Sequence, residues 1–335
     1  MGSHVGHGRN IPFLIIVCVV ASLTHTPACG SGREGNARHL RPSLQAAAER
    51  AVGKESACVI AIHPATGRIL ALVNEEMACR KAYPPGSILK LLTAFAGLDE
   101  GIVTPETTVE CRNFHKSGTE TLICSLPGGH GKVSLEDAIA HSCNVYFYTL
   151  GERLGPERLL KHFRSFGLGK RFGGYPHNQA PGSMPVGLNG EAEVAKAAIG
   201  QARDLRVTPL QMAVITAAIA NGGTEYAPSR GKPSVLRRIH ARPGTFEALR
   251  KGMRMAVVNG TAKEARVPGL SVCGKTGSPE TDANPEFRHA WFVGFAPYDR
   301  PEIVVVVFAE WGHGGETAAP IARKVFEAYH DVVCK

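Results

Sequence analysis

The order of apolar and polar positions divides the chain into stretches of different periodicity. Arg9 precedes a largely apolar run from Ile11 to Leu23. A membrane-crossing helix needs about 20 such residues, so this shorter run suits the apolar core of an export signal. Ser43 to Val52 has helical spacing. Cys58 to Ile62 and Arg68 to Val73 flank Pro64-Ala65-Thr66-Gly67, and apolar runs around a Pro/Gly turn predict a β-hairpin. From Ser87 to about Ala220 helical periodicity prevails, with Gly101, Gly155, Gly167 and Gly222 as stops. Strand-like runs return at Ser271 to Gly274, Ala290 to Phe295 and Ile303 to Ala309, before a final helix from Thr317 to about Val333. Strands at both chain ends with helices between them predict an α+β fold. Its antiparallel β-sheet is flanked by helices and carries an inserted all-helical subdomain over about residues 87–222. Residues 1–29 read as a leader, 30–42 as a linker and 43–335 as the folded domain.

Composition changes this picture little. The chain has 335 residues, 44% of them apolar and 20% charged, as expected of a folded protein with a large core. The net charge of +9 suits nucleic acid, an anionic membrane surface or an acidic polymer. The densest basic stretch, Arg230 to Arg242, is interrupted by Pro233 and lacks the interleaved aromatics of a base-stacking platform. It reads as a solvated surface segment, with no nucleic-acid partner.

Cysteine usage adds more. Ala28-Cys29 has the small residue before cysteine of a lipid-attachment site, although Thr26 and Pro27 fit that pattern poorly. Lipidation at Cys29, cleavage nearby and an uncleaved anchor stay open. Nine cysteines in an exported chain make disulfides chemically possible, and Cys111 with Cys124, flanking a polar glycine-containing segment, form the best candidate bridge. No CxxC pair and no HExxH helix occurs, so neither a metal site nor a cofactor is expected.

Candidate chemistry begins at Pro84-Pro85-Gly86, which forces a turn directly before the helically spaced run Ser87-Ile-Leu-Lys90-Leu-Leu. Ser87 opens that helix, and residues three apart share a face, so the Lys90 amine can reach the Ser87 hydroxyl. Desolvation would leave such an amine neutral enough to take the proton. Backbone N–H groups at a helix start also point at developing negative charge. An ordinary N-cap serine would look the same in isolation. Ser229-Arg-Gly-Lys232 repeats the spacing among glycine and proline, where no apolar helix can start.

Two further elements follow in order. Ser134-Leu-Glu-Asp137 has the form of a capping box starting a short helix, which breaks at His141-Ser142-Cys143-Asn144. The Ser142 hydroxyl can relay a proton, and the Asn144 amide can both donate to and accept from a peptide backbone. Cys143 between them reads as packing. Gly274-Lys275-Thr276-Gly277-Ser278 belongs on a strand flanking a cleft. There Lys275 supplies positive charge, Thr276 and Ser278 supply hydroxyls, and the glycines let a substrate backbone approach. Lys116-Ser117-Gly118 is a similar triplet that reads as a loop.

A Ser-x-x-Lys, a Ser-x-Asn and a Lys-Thr-Gly element in this order, on a helix start, a helix junction and a strand, resemble the transpeptidase domain of penicillin-binding proteins. The likeness extends from about Cys58 to Tyr329. It includes Tyr83-Pro-Pro-Gly-Ser87, Gly200-Gln201 with Val207-Thr208-Pro209-Leu210-Gln211, Ala220-Asn-Gly-Gly223, Gly260-Thr-Ala262 and His289-Ala-Trp-Phe-Val-Gly-Phe-Ala-Pro297. The resemblance implies a peptidoglycan D,D-transpeptidase that cleaves D-Ala-D-Ala stem peptides through acyl-Ser87 and is trapped by β-lactams. It implies Lys90 as base, with Ser142 and Lys275 passing protons to the leaving group. Asn144 would hold the peptide amide, Thr276, Gly277 and Ser278 the terminal carboxylate, and the N–H groups of Ser87 and Ser278 the oxyanion.

The same resemblance implies an exported, periplasmic or extracytoplasmic enzyme, associated with the membrane and served by cell-wall synthesis partners. The chain has room for neither a glycosyltransferase domain nor an elongated pedestal, which suggests an accessory or partner-dependent role. A serine β-lactamase would need a Glu-x-x-Leu-Asn element, which is absent, or valine in place of Asn144. A D,D-carboxypeptidase, a serine β-lactamase and a non-catalytic β-lactam sensor or scaffold remain as alternatives.

Overall fold

The computed structural model describes residues 1–4, 33–281, 284 and 286–333, and for residues 33–40 the backbone alone. Most of the leader, including Cys29, lies outside the described residues. Among these residues, no helix is long and apolar enough to cross a membrane.

Helix α1 (Arg33–Val52) leads into strands β1 (Ala57–Ile62) and β2 (Ile69–Val73). It starts ten residues before the expected Ser43, inside the segment read as linker, and runs through Pro42. After the turn at Pro84 come α2 (Lys90–Asp99) and four short strands, β3 (Val109–Cys111), β4 (Phe114–Ser117), β5 (Glu120–Ile123) and β6 (Gly131–Val133). Helices α3 (Leu135–Ala140), α4 (Asn144–Ser165), α5 (Glu191–Ala198) and α6 (Pro209–Asn221) complete the insertion. Strands β7 (Thr224–Tyr226) and β8 (Val235–Arg238) precede α7 (Thr245–Val258). The chain ends with β9 (Cys273–Gly277), β10 (Ala290–Ala296), β11 (Ile303–Ala309) and α8 (Ala319–Val333).

One five-stranded antiparallel sheet, in the order β2-β1-β11-β10-β9, joins both chain ends. Its inner strands are buried on both faces, so they read as unbroken apolar runs rather than as an alternation. Cys58, Ile60 and Ile62 with Trp291, Val293, Phe295, Val304, Val306 and Phe308 face the core shared with α2, α4 and α6. Ala57, Val59 and Ala61 with Phe292, Val305 and Val307 face a second core under α1 and α8. The fold is therefore α+β as expected, but the insertion is not all-helical. Pairs β3–β6 and β4–β5 interrupt it, with Lys116 and Ser117 on β4 and Gly118 at the hairpin turn. Strands of three or four residues are too short for a period of two to stand out against helical neighbours.

Helix starts and stops follow local chemistry. Ser134 and Thr208 each cap a helix in a two-way capping box, with Asp137 and Gln211 reaching back. Gly222, at φ 83°, closes α6 in the left-handed region that favours glycine. Gly155, at φ 74°, breaks α4 before Pro156 restarts it.

Candidate active site

The Pro84-Pro85-Gly86 turn is held from two sides. Trp291 on β10 donates its Nε1–H to the Pro84 carbonyl at 2.9 Å, and the Gly86 N–H donates to the Gly200 carbonyl at 3.1 Å. A Cβ on Gly200 would lie 2.2 Å from the Gly86 oxygen, so only glycine permits this approach. Gly86 to Leu89 then form a single 3₁₀ turn rather than the regular α-turn expected from Ser87. Side chains three apart share a side in that geometry, which puts the half-buried Ser87 on the same side as Lys90. The Ser87 N–H is among the early N–H groups that a helix start leaves without an intrahelical acceptor.

Lys90 begins α2, whose residues Lys90 to Leu98 are all buried. Its Nζ donates to the Ser142 carbonyl at 2.7 Å, to Asn144 Oδ1 at 2.6 Å and to Ser142 Oγ at 3.2 Å. Lys275, fully buried on β9, donates to the same Ser142 Oγ at 2.9 Å and to the Thr276 carbonyl at 2.9 Å. Lys275 reaches that hydroxyl because it pairs with Val293, on the sheet face that meets α2. Burial lowers the Lys90 pKa to about 7, and burial followed by the Lys90 charge lowers that of Lys275 well below its usual value. Two amines flanking one hydroxyl cannot both hold a proton cheaply. When Lys90 is neutral, its two N–H bonds can serve the Ser142 carbonyl and Asn144 Oδ1, leaving the lone pair for a hydroxyl.

Ser142 takes φ 58°, a left-handed conformation uncommon outside glycine, on the turn between α3 and α4. Its neighbours secure that conformation. The Cys143 N–H donates to Ala138 O at 3.0 Å, and Asn144 Nδ2 donates to Ile123 O at 3.3 Å. The β4–β5 hairpin thus forms one wall of the site.

Strand β9 lies at the sheet edge, so its outer side is not paired to another strand of the sheet. It includes Lys275, Thr276 and Gly277, as the sequence leads one to expect. A Cβ on Gly277 would come within 3.1 Å of Pro85 O and 3.3 Å of Ile88 N, so the end of β9 lies against the Ser87 turn. Thr276 Oγ1 donates to Thr261 Oγ1 at 2.7 Å, and Ser278 Oγ accepts the Gly314 N–H at 3.0 Å. The second bond leaves the Ser278 proton free to donate elsewhere.

All the motif residues thus meet in one place, with Ser87, Ser142, Asn144 and Ser278 half-buried and both lysines fully enclosed behind them. The decoy Ser229 to Lys232 lies in a bend whose Ser229 bridges Arg68, with no helix. Trp291 and Thr261 were legible only as parts of longer stretches, without a role. Trp291→Phe keeps an aromatic ring in the core but orphans the Pro84 carbonyl. It is expected to cost about 1–2 kcal/mol by thermal melting and to slow covalent labelling by penicillin roughly tenfold.

The cysteines depart from expectation. Cys111 and Cys124 are buried free thiols that approach His130 Nδ1, at 3.6 and 3.4 Å, rather than a bonded pair. Cys143, read as packing, joins the same group. These residues could hold a metal ion, which the sequence reading did not anticipate.

Residues 57–327 match the family model described as the penicillin binding protein transpeptidase domain. The peptidoglycan D,D-transpeptidase MrdA of Acinetobacter baumannii is 30% identical across 85% of this chain and 52% of its own length. The crystal structure of Pseudomonas aeruginosa PBP2 has a TM-score of 0.77 and 30% identity, over 85% of this chain and 76% of that one. Penicillin-binding protein A of Mycobacterium tuberculosis, solved as a ceftriaxone acyl-enzyme complex, has a TM-score of 0.76 and 28% identity over 86% and 78%. The chain spans about half the length of MrdA. It belongs to the penicillin-binding protein transpeptidase domain family.

Proposed function

We propose that the chain is a peptidoglycan D,D-transpeptidase that works through an acyl-Ser87 intermediate. The observation that carries this is a Ser142 hydroxyl held between two enclosed amines, at 3.2 and 2.9 Å, beside a half-exposed serine at a helix start. Neutral Lys90 takes the Ser87 proton as Oγ bonds to the carbonyl carbon of the penultimate D-Ala. The resulting oxyanion is held by the N–H groups of Ser87 and Ser278. Ser142 passes a proton to the departing amine of the terminal D-Ala and regains one from the adjacent lysines. An acceptor amine then attacks the acyl-enzyme, loses its proton by the same route and releases Ser87.

Asn144 holds the stem-peptide amide, while Thr276, Gly277 and Ser278 hold the terminal carboxylate. The peptide lies along the outer edge of β9 as an added strand. A β-lactam enters the same path, and its ring-opened product stays attached to Ser87. The enzyme is exported, acts on the outer side of the cell membrane and works with other cell-wall synthesis proteins.

The test follows a fluorescent penicillin on the purified chain and D-Ala release from a pentapeptide, with and without an acceptor amine. Stable labelling and acceptor-dependent cross-linked product are expected. No covalent label sinks the assignment. Rapid loss of label points to a β-lactamase, and D-Ala release indifferent to acceptor points to a carboxypeptidase.

A further inference from the structure

Three thiols and an imidazole converge on the turn that carries Ser142 and Asn144. Cys111 ends β3, Cys124 follows β5, His130 precedes β6, and Cys143 sits immediately before α4. One donor atom from each lies within 4.8 Å of all the others. The cysteines are buried and His130 is half-buried. Zinc bonds of about 2.3 Å to sulfur and about 2.0–2.1 Å to nitrogen give a tetrahedron whose sulfur-to-nitrogen edge is about 3.6 Å. His130 Nδ1 lies 3.6 Å from Cys111 Sγ and 3.4 Å from Cys124 Sγ, matching that edge to within a few tenths of an ångström.

The backbone holds this arrangement without help from the thiols. Cys111 pairs with Gly131 across β3 and β6, and the Cys124 N–H donates to Asn113 O at 2.7 Å. A Cβ on Gly129 would lie 2.1 Å from the Cys111 oxygen, so a glycine at φ +84° lets the loop lie flat on β3 and deliver His130. A disulfide would engage two sulfurs at about 2.05 Å and leave the third thiol and the imidazole unused. Three thiolates with one imidazole form a closed tetrahedral set of the kind that zinc prefers.

We propose that Cys111, Cys124, His130 and Cys143 bind one divalent ion of the zinc class, and that this ion fixes the turn holding Ser142 and Asn144 for acyl transfer. The second half rests on the transpeptidase reading; the first does not. With four protein ligands the ion has no open position, so it orders the backbone and does not activate substrate or water. Bound thiols give up their protons to solvent. The ion ties β3, the exit of the β4–β5 hairpin and the start of α4 to one point. The hairpin is joined to the site a second time through Ile123 O, which accepts from Asn144 Nδ2 and, at 3.4 Å, from the Tyr148 hydroxyl. In an oxidising compartment unliganded thiols this close would pair, and ligation keeps all three reduced.

The full chain, purified under reducing conditions, is expected to carry one zinc per molecule by elemental mass spectrometry. Cobalt(II) in its place is expected to show sulfur-to-metal charge transfer and the intense visible bands of a tetrahedral thiolate site. Cys124→Ser and His130→Ala are expected to retain at most about one-tenth of the metal after matched dialysis, while Cys79→Ser, buried outside the cluster, retains it. If the variants do not fold, the wild type stripped with a chelator supplies the test. Its labelling by fluorescent penicillin is expected to slow about tenfold or more, and to recover with added zinc. A reduced, folded chain without metal, or a Cys111–Cys124 disulfide on peptide mapping, overturns the site. Bound metal with labelling unchanged by stripping overturns its role in fixing the turn. Bound zinc on a chain that never takes label leaves the site standing and sinks the transpeptidase reading instead.

Discussion

Ser87→Ala is expected to abolish covalent labelling by a fluorescent penicillin, a loss on the order of 10⁴-fold or more. The substitution removes the one oxygen that forms the new bond, and neither neighbouring serine can replace it. Ser142 Oγ is fixed between Lys90 and Lys275 on a backbone at φ 58°, while Ser278 Oγ is engaged by the Gly314 N–H. Removing one oxygen from a half-buried turn residue is expected to move the stability by no more than about 1 kcal/mol. A normal melting curve with no label is the expected pair of results. Label that persists on the variant would assign the acylated residue elsewhere.

Lys90→Met is expected to lower the acylation rate by about 10²–10⁴-fold, since it keeps most of the side-chain volume and removes the base. The pH profile separates this role from packing. Burial places the Lys90 pKa at about 7, and only the neutral amine can accept the Ser87 proton. Acylation in the wild type is therefore expected to rise through pH 7 and to level off above it. A rate that falls as pH rises would exclude neutral Lys90 as the base. Folding lowers this pKa, so between about pH 7 and 10.5 the unfolded chain holds more protons and stability rises with pH. Lys90→Met is expected to reduce that slope in thermal melts across the window, although Lys275 keeps part of it.

Much of the site was legible because each motif carries its own local structure. Two prolines and a glycine force the turn before Ser87, a capping box starts the helix before Ser142, and a short apolar run leads Lys275 onto a strand. Such signals span a few residues and survive without knowledge of the fold. The sheet was legible for a similar reason, its apolar runs being confined by Pro/Gly turns. The features that escaped depend on distant pairing or on very short elements. Trp291 meets Pro84 across 207 positions, which no local pattern encodes. Strands β3 to β6 are each at most four residues long. The cysteine cluster draws its donors from four separate places, 13, 6 and 13 positions apart along the chain from Cys111 to Cys143. A search for CxxC spacing misses it, although three cysteines and a histidine within so short a stretch were there to be counted.

The interleaving of the two chain ends in one sheet has a consequence for the order in which activity is acquired. Strand β1 pairs with β11 across Ala57 and Ala309, and the Ser87 turn hangs from Trp291 on β10. The nucleophile is made early in synthesis, yet Trp291, which holds its turn from one side, comes 204 positions later. Contacts of such long sequence separation close slowly because the loop entropy must be met first. A chain truncated after Arg300 lacks β11 entirely and is expected to remain open to protease and to take no penicillin. Reactivity is thus withheld from the growing polypeptide until β10 and β11 are delivered.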